Sequence, residues 1–452
     1  MDNLEKLNEL AALFAPHATL YAVGGFVRDR LLGCEAYDVD VCSKLQAGEV
    51  KAILSGSEFA VSDKSLRMGT VRIWSDDFAA EYTAFRTDSY DRSSGAHSPS
   101  EVRFTDDISE DARRRDFKCN AVYLDILNDS VVDPIGGVRD IENKILSTAD
   151  DPNKVFEADG LRILRLVRFA SELGFVIEDE TKRVAKDNAW RAADISPERI
   201  RDELSKIFTA DTVRLKLKDA HLRGFRLLDE LGLVDLLLPE LASLKGLAQK
   251  KQYHIYDAYE HSIKAFELSP PHLRWAALLH DIGKRAAFEK NGGENMRGHD
   301  EIGAQMADGI FKRLRFSNAD RERNVKLILK HMVDIKGDTS PHKLRRFAAR
   351  NSEIMDDLCV IKDVDAEASC GHKVAMNRLR DAWEEVKGDG TPLSLKDLKV
   401  DGNDLLALGA ESKNIGDMLK ELLDDTILNP ALNDRKKALE YVKRKLNKKS
   451  DD

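Results

Sequence analysis

In the run Asp38, Val39, Asp40, Val41, carboxylates alternate with valines, and side chains along a strand point to opposite faces in turn. One face of such a strand packs; the other presents two carboxylates together. Like charges at that spacing repel unless a cation sits between them, and carboxylate oxygens suit a hard ion such as Mg2+ whose shell is completed by a substrate phosphate. Asp38 and Asp40 therefore read as half of a two-metal site, although a solvated edge strand would also explain the alternation taken alone. Glu81, in "AAEYTAFRT", is a third carboxylate that a neighbouring strand can bring to the same face; a solvent-facing strand glutamate is the commoner case.

Groups suited to phosphate lie on either side. Gly24 and Gly25 end a strand and let the backbone approach a phosphate closely, and "FVRDRLLG" then starts a helix whose N-terminus favours anions, with Arg28 within reach. Arg113, Arg114 and Arg115 stand just before another strand, where guanidinium forks can grip phosphate or line a solvated turn. In "ADGLRILRLVRFASELGF", Asp159, Arg162, Arg165 and Arg168 recur every three residues and so share a helix face, beside a packed side of Leu161, Leu164 and Val167. An accepting Asp beside a donating Arg matches the edge of cytosine or adenine, which offers an amine donor next to a ring-nitrogen acceptor. Guanine and uracil present the reverse. A helical salt bridge of a few tenths of a kcal/mol is the plainer reading of the same spacing.

A third set is spread over a helical region: His261, His280 with Asp281, His299, His331, and Asp363 or Asp365. Imidazoles with a shared His-Asp pair are ligands for a divalent transition metal, which would activate water against a phosphoester.

These residues need a scaffold of two kinds. Strand-like runs crowd the first third ("LYAVGG", "YDVDVC", "TVRIW", "AAEYTAFRT", "NAVYLDI"), and beyond about Ile145 the pattern is almost wholly helical. Gly, Pro and charge break the helical period at Leu247 to Gln252 and at Gly388 to Thr391, giving expected domains at 1–146, 147–247, 248–388 and 389–452. The polar segment from Thr87 to Ser109 is too long for a hairpin loop. A net charge of −9 excludes bulk positive potential as the means of holding nucleic acid, so any basic footprint is local; the tail "DRKKALEYVKRKLNKK" is the clearest basic run, and also reads as a frayed terminal helix. Five cysteines without C-x-x-C spacing argue against disulfides or a zinc ribbon and fit a reducing cytoplasm. An acidic N-terminus and the lack of a long apolar run predict neither a signal peptide nor a membrane span.

Together "GGFVRD", "DVD", "RRDFKCNAVYLD", "LRILRLVRFASELGF" and "HDIGK" resemble the class II tRNA nucleotidyltransferase and bacterial poly(A) polymerase family over nearly the whole chain. The resemblance implies an α+β fold: a polymerase-β-like head of mixed sheet and helices, then an elongated all-α arm with an HD domain. It places the catalytic Mg2+ on Asp38 and Asp40. It assigns Gly24, Gly25, Arg28, Arg114, Arg115, Asp116, Asn120, Arg165 and Arg168 to nucleotide binding, and Asp159 with Arg162 to the base edge. His261, His280, Asp281, His299, His331 and Asp365 become the HD metal set. The implied activity is template-independent addition of C and A, from CTP and ATP, to the tRNA 3′ end, with the C-terminal helices near the tRNA body and the Thr87–Ser109 loop accompanying the switch from C to A. The family usually reads Glu-Asp-x-x-Arg, whereas Ala158 precedes Asp159 here and Glu157 sits one place earlier. The rival readings are a poly(A) polymerase, an A-adding or CC-adding specialist, or an HD phosphohydrolase with an RNA-binding head; oligomeric state is not legible.

Overall fold

The computed structural model describes residues 3–35, 38–62, 68–89, 101–252, 254–370 and 377–449. The chain folds as two compact units, Met1–Ala242 with Arg313–Arg315, and Ser243–Lys312 with Phe316–Asp452.

The first unit is built on short strands: β1 (Tyr21–Val23), β2 (Val39–Ser43), β3 (Ala60–Val61), β4 (Thr70–Ser75), β5 (Phe78–Ala84), β6 (Arg86–Ser89), β7 (Glu101–Phe104), β8 (Tyr123–Asp125) and β9 (Ser130–Val132). Seven of them form one sheet in the order β3-β4-β5-β2-β1-β8-β9. Only β2 and β5 run parallel; the other neighbours are antiparallel, so the sheet is mixed. The alternation in β2 does what it predicts: Val39 and Val41 are buried while Asp40 between them is exposed. β2 lies at the centre of the sheet, so its carboxylate does not mark an edge.

The described parts of the segment from Thr87 to Ser109 carry regular structure. β6 and β7 pair as an antiparallel ribbon, with Arg86 opposite Phe104 and Ser89 opposite Glu101, and the helix Ile108–Arg113 follows. Residues 90–100, on which the expected loop centres, lie outside the described residues. After about Ile145 the described chain is almost wholly helical, the short pair Ile145–Leu146 and Val176–Ile177 being parallel strands.

The helical body of this unit is organised by Leu161–Leu173, which is buried on nearly every side and ends at Gly174 in the left-handed conformation (φ 67°) that stops helices. Arg168 on this helix is only 6% exposed. Its Nε donates to Glu203 at 2.7 Å, and Glu172 stands 3.7 Å from its Nη1. Removing one partner of a buried pair like this costs about 3–5 kcal/mol, because the remaining charge has no water to turn to.

The second unit is helical. Ala258–Leu268, Arg274–Leu279, Asn318–Lys330, Pro341–Arg350 and Met355–Cys370 pack around a core that includes Leu273, Leu327, Leu344, Leu358 and Trp383. A smaller core of Val400, Leu405, Met418, Leu422, Ala438 and Val442 holds the C-terminal helices. The basic tail is therefore a packed helix, Arg435–Lys449, with Tyr441 donating to Asp425 and Lys445 paired to Glu421. Among the described residues Cys34, Cys42, Cys119 and Cys359 are free thiols, and no helix is long and apolar enough to cross a membrane.

Candidate active site

The carboxylate face of β2 is assembled by strand register. Asp40 is aligned with Glu81 on the parallel neighbour β5 and with Val23 on β1. Glu81 thus joins the site from the strand its sequence context proposed. Gly24 follows Val23 at φ 77°, and a Cβ there would lie 3.3 Å from Asp40 Oδ2; glycine both adopts that backbone and leaves the carboxylate room. The helix after it, Gly25–Leu31, has seven residues. Asp40 opens on the cleft, yet protein surrounds it on the other sides. That burial, then the Glu81 and Asp38 carboxylates, pushes its carboxyl up to about 6, with Arg115 and Arg165 opposing. The Glu81 and Asp38 carboxylates both repel Asp40 at this sheet face, and carboxylate oxygens are the donors that a hard divalent cation takes.

The cleft measures about 1290 Å3 and brings together Asp38, Asp40, Arg114, Arg115, Asp159 and Arg162, with Gly24, Gly25, Asn120 and Arg165 also in its wall. It is larger than the ~300–1,000 Å3 typical of a single small-molecule pocket. A buried carboxylate absent from the sequence expectations sets the arginines. Asp111 accepts from Arg114 Nε at 2.8 Å, Arg115 Nη2 at 3.1 Å and the Tyr123 hydroxyl at 2.7 Å. Its signal was present: Asp111 precedes Arg114 and Arg115 by three and four residues on one helical turn.

Several expected ligand contacts turn inward instead. Asp116 is buried; its Oδ2 accepts from Arg165 Nε and Nη2 at 2.8 and 2.5 Å, and its Oδ1 from the Asn120 amide at 3.0 Å. Arg28 is 1% exposed and donates to Asp29 (2.8 and 2.6 Å) and to Asn120 Oδ1 (2.6 Å). With Arg168, Arg28 shapes the wall through partners within the protein, because a buried guanidinium must satisfy its donors locally. Arg28, Arg165 and Arg168 also surround the Phe169 ring at 5.0, 5.2 and 4.2 Å.

Asp159 and Arg162 do not share one helix. The helix Pro152–Ala158 ends before Asp159, whose backbone is extended (φ −152°, ψ 110°), and a new helix begins at Leu161. An Asp is worth more at such a junction than inside a helix, because its carboxylate can cap free N–H groups. Here Oδ1 accepts from Leu161 N–H at 3.0 Å, and Oδ2 pairs with Arg199 at 2.9 Å. Arg162 donates to the main-chain carbonyls of Arg114 (2.8 Å) and Val155 (3.4 Å). Both side chains still line the cleft. Glu157 stands 3.8 Å from Arg191.

Burial alone would raise the Asp111 and Asp116 carboxyls, but Arg115 and Arg114 hold the first down, and Arg165 with the Asn120 hydrogen bond holds the second well below the usual range. Both stay charged in the folded chain where the unfolded chain takes up protons. The stability they contribute is complete above about pH 4 and falls as the pH drops below it. The urea midpoint is expected to fall as the pH is lowered from about 4, and to fall less steeply in Asp111→Asn.

In the second unit five helices deliver the histidine set. His261, His280, His299 and His331, with Asp281, are nearly fully buried, and Asp365 is mostly so. Asp363 is instead paired to Arg380, which leaves Asp365 as the carboxylate facing the cluster. Gly283 permits the approach: a Cβ there would lie 2.1 Å from the His299 carbonyl oxygen. Burial opposes a charge on His280, but Asp281 and Asp365 outweigh it and push the ring up to about 10, while burial and His280 bring His331 down to about 4. Asp281 and Asp365 lie well below the usual carboxylate range, held there against burial chiefly by His280 for the first and His261 for the second. A cluster that draws in positive charge is one that a cation fits.

Residues 20–147 match the poly A polymerase head domain, 174–245 a probable RNA and SrmB-binding site of polymerase A, and 248–369 the HD domain. An A-adding tRNA nucleotidyltransferase of Deinococcus radiodurans is 31% identical over 441 residues, covering 91% of this chain and 92% of that one. A CC-adding tRNA nucleotidyltransferase of Thermus thermophilus is 31% identical over 426 residues, 89% and 88% of the two chains. The fold is that of a Bacillus stearothermophilus CCA-adding enzyme solved with CTP: TM-score 0.69, 22% identity, 100% of this chain and 99% of the other. Head, cleft and relatives define the class, a nucleotidyltransferase. The chain belongs to the family of tRNA nucleotidyltransferases and bacterial poly(A) polymerases.

Proposed function

We propose that the protein is a CCA tRNA nucleotidyltransferase, adding C and A from CTP and ATP to tRNA 3′ ends without a template. The observation that carries this is the placing of Asp38, Asp40, Arg114, Arg115, Asp159 and Arg162 around one cleft. Asp38 and Asp40, with Glu81 alongside, would hold Mg2+. Bound there, the ions would supply charge stabilisation to the attacking 3′-hydroxyl oxygen and the leaving pyrophosphate. Arg114 and Arg115, fixed by Asp111, bind and orient the triphosphate. Asp116 keeps Arg165 in the wall and Asn120 in place beside the ribose. Asp159 and Arg162 read the base edge once incoming nucleotide draws Arg162 from the carbonyls of Arg114 and Val155. Residues 1–146 are the catalytic head, 147–247 the base- and RNA-binding neck, 248–388 the HD domain, whose six ligands take a divalent transition metal, and 389–452 a tail near the tRNA body.

The Deinococcus radiodurans relative favours a second reading, addition of A alone, and the equally identical Thermus thermophilus relative favours addition of CC alone. Poly(A) polymerase activity, and an HD phosphohydrolase whose head only binds RNA, are the remaining rivals. Purified protein incubated with tRNA ending before, within and after CCA, and each triphosphate separately, distinguishes them. C on the first substrate, A on a CC end and nothing after CCA is the expected pattern; A on CC ends alone establishes the A-adding reading.

A further inference from the structure

A turn at residues 212–216 lines the cleft, and its backbone is held in a conformation that costs stability. Arg214 and Lys216 have φ of 47° and 46°, in the left-handed region that residues with a Cβ disfavour. The Lys216 N–H closes the turn on the Val213 carbonyl at 2.9 Å. Such strain persists only where the surroundings fix it, and it concentrates where a ligand is clamped. Here the anchor is Arg214. Its Nη1 donates to the buried Glu172 carboxylate, and its Nε to Asp29 Oδ2 at 3.3 Å. Asp29 also accepts from Arg28 at 2.8 and 2.6 Å, on the helix Gly25–Leu31 that follows Gly24. The turn is thereby fixed to the glycine end of the cleft, where the backbone can approach a phosphate closely.

Charge at this end is matched pair by pair. Arg28 donates to Asp29 and Arg165 to Asp116. Arg168 donates to Glu203 and Arg214 to Glu172. Lys216 differs: it is exposed in the cleft wall, and its ammonium has no hydrogen-bond or ion-pair partner among the described residues. The matched pairs leave this wall close to neutral, so its net positive charge comes from Lys216. A nucleoside triphosphate carries most of its negative charge on its two outer phosphates. A lysine ammonium, a compact charge with three rotatable donors, takes phosphate oxygens without demanding one orientation.

We propose that Lys216 binds the two outer phosphates of the incoming nucleotide, the group that leaves as pyrophosphate, and that Arg214 positions it through Glu172 and Asp29. This rests on the reading of the cleft as a nucleotide site and adds a contact that is blind to the base. Asp159 and Arg162 meet the base edge at one end; Lys216 meets the opposite end of the nucleotide. The outer phosphates stay joined when the bond to the α-phosphate breaks, so Lys216 holds the product pyrophosphate as it holds the substrate.

The test is equilibrium binding to the full chain, with Mg2+ and without RNA, of three probes: CTP, CMP and inorganic pyrophosphate. Lys216→Gln is expected to weaken CTP and pyrophosphate by about five- to tenfold, between the worth of an exposed ion pair and that of a charge-assisted hydrogen bond, and to leave CMP unchanged. Lys216→Arg should restore both. Lys216→Gly removes the charge and relieves the backbone, so it should bind the probes as Lys216→Gln does, with a urea midpoint equal to or above that of the unmodified chain. In turnover KM should rise for CTP and ATP by one common factor and stay the same for RNA. CTP and pyrophosphate bound undiminished by Lys216→Gln overturn the proposal. So do all three probes weakened alike together with a lower urea midpoint, which marks a structural lysine, or a KM raised for RNA instead. Failure of the unmodified chain to bind CTP or pyrophosphate at all overturns the nucleotide reading of the cleft itself.

Discussion

Asp40→Asn is expected to reduce nucleotide addition by at least about a thousandfold, because on the proposed function the carboxylates hold the ions whose charge would stabilise the displacement, a contribution of several kcal/mol at about 1.4 kcal/mol per tenfold. Asp38→Asn should do the same. RNA binding should change little, since the arginines that would meet RNA and triphosphate are positioned by Asp111 and Asp116, not by the carboxylate face. Stability separates loss of chemistry from loss of fold. Burial first, and then the Glu81 and Asp38 charges, push the Asp40 carboxyl up, so removing its charge should leave the urea midpoint at neutral pH equal or higher. A variant that loses both activity and stability would instead indicate a structural role.

The second large effect is on nucleotide choice. Arg162→Ala is expected to lower discrimination of C and A over U and G by about ten- to a hundredfold, the worth of one charge-assisted hydrogen bond of roughly 1.5–3 kcal/mol. CTP and ATP should be used poorly and the relative use of UTP and GTP should rise. In the structure Arg162 donates to two main-chain carbonyls and Asp159 pairs with Arg199; on the proposed function both turn to the incoming base. The check is incorporation efficiency for all four triphosphates on one tRNA primer, with folding verified. An undiminished preference for C and A in folded Arg162→Ala contradicts base reading by this pair.

Which of these residues could be read beforehand depended on the range of the forces that place them. The strand alternation of Asp38 to Val41 was legible because side-chain direction along a strand is local, and Glu81 followed once β5 was recognised as a strand. The histidine set was legible as an ordered series, and geometry then chose Asp365 over Asp363. Asp159 was misplaced because a three-residue interval looks the same whether the helix is continuous or broken, and the break is fixed by a capping bond to Leu161 and by Arg199, forty residues on. The partners of Arg28 and Arg168 were not legible, because an arginine near glycines or on an arginine-rich helix face gives no sign of the buried groups it pairs with. Those are Asn120, Glu172 and Glu203, contributed by distant segments or by the buried side of the same helix. Arg199 and Arg214, also in the cleft wall, had no local signal at all.

The most direct measurement is the mass of a tRNA lacking its 3′-terminal CCA after incubation with this protein, Mg2+, CTP and ATP together. The account predicts a single product heavier by two cytidylates and one adenylate, with no further extension. A product carrying cytidylates alone, a run of adenylates, or no added nucleotide would contradict it.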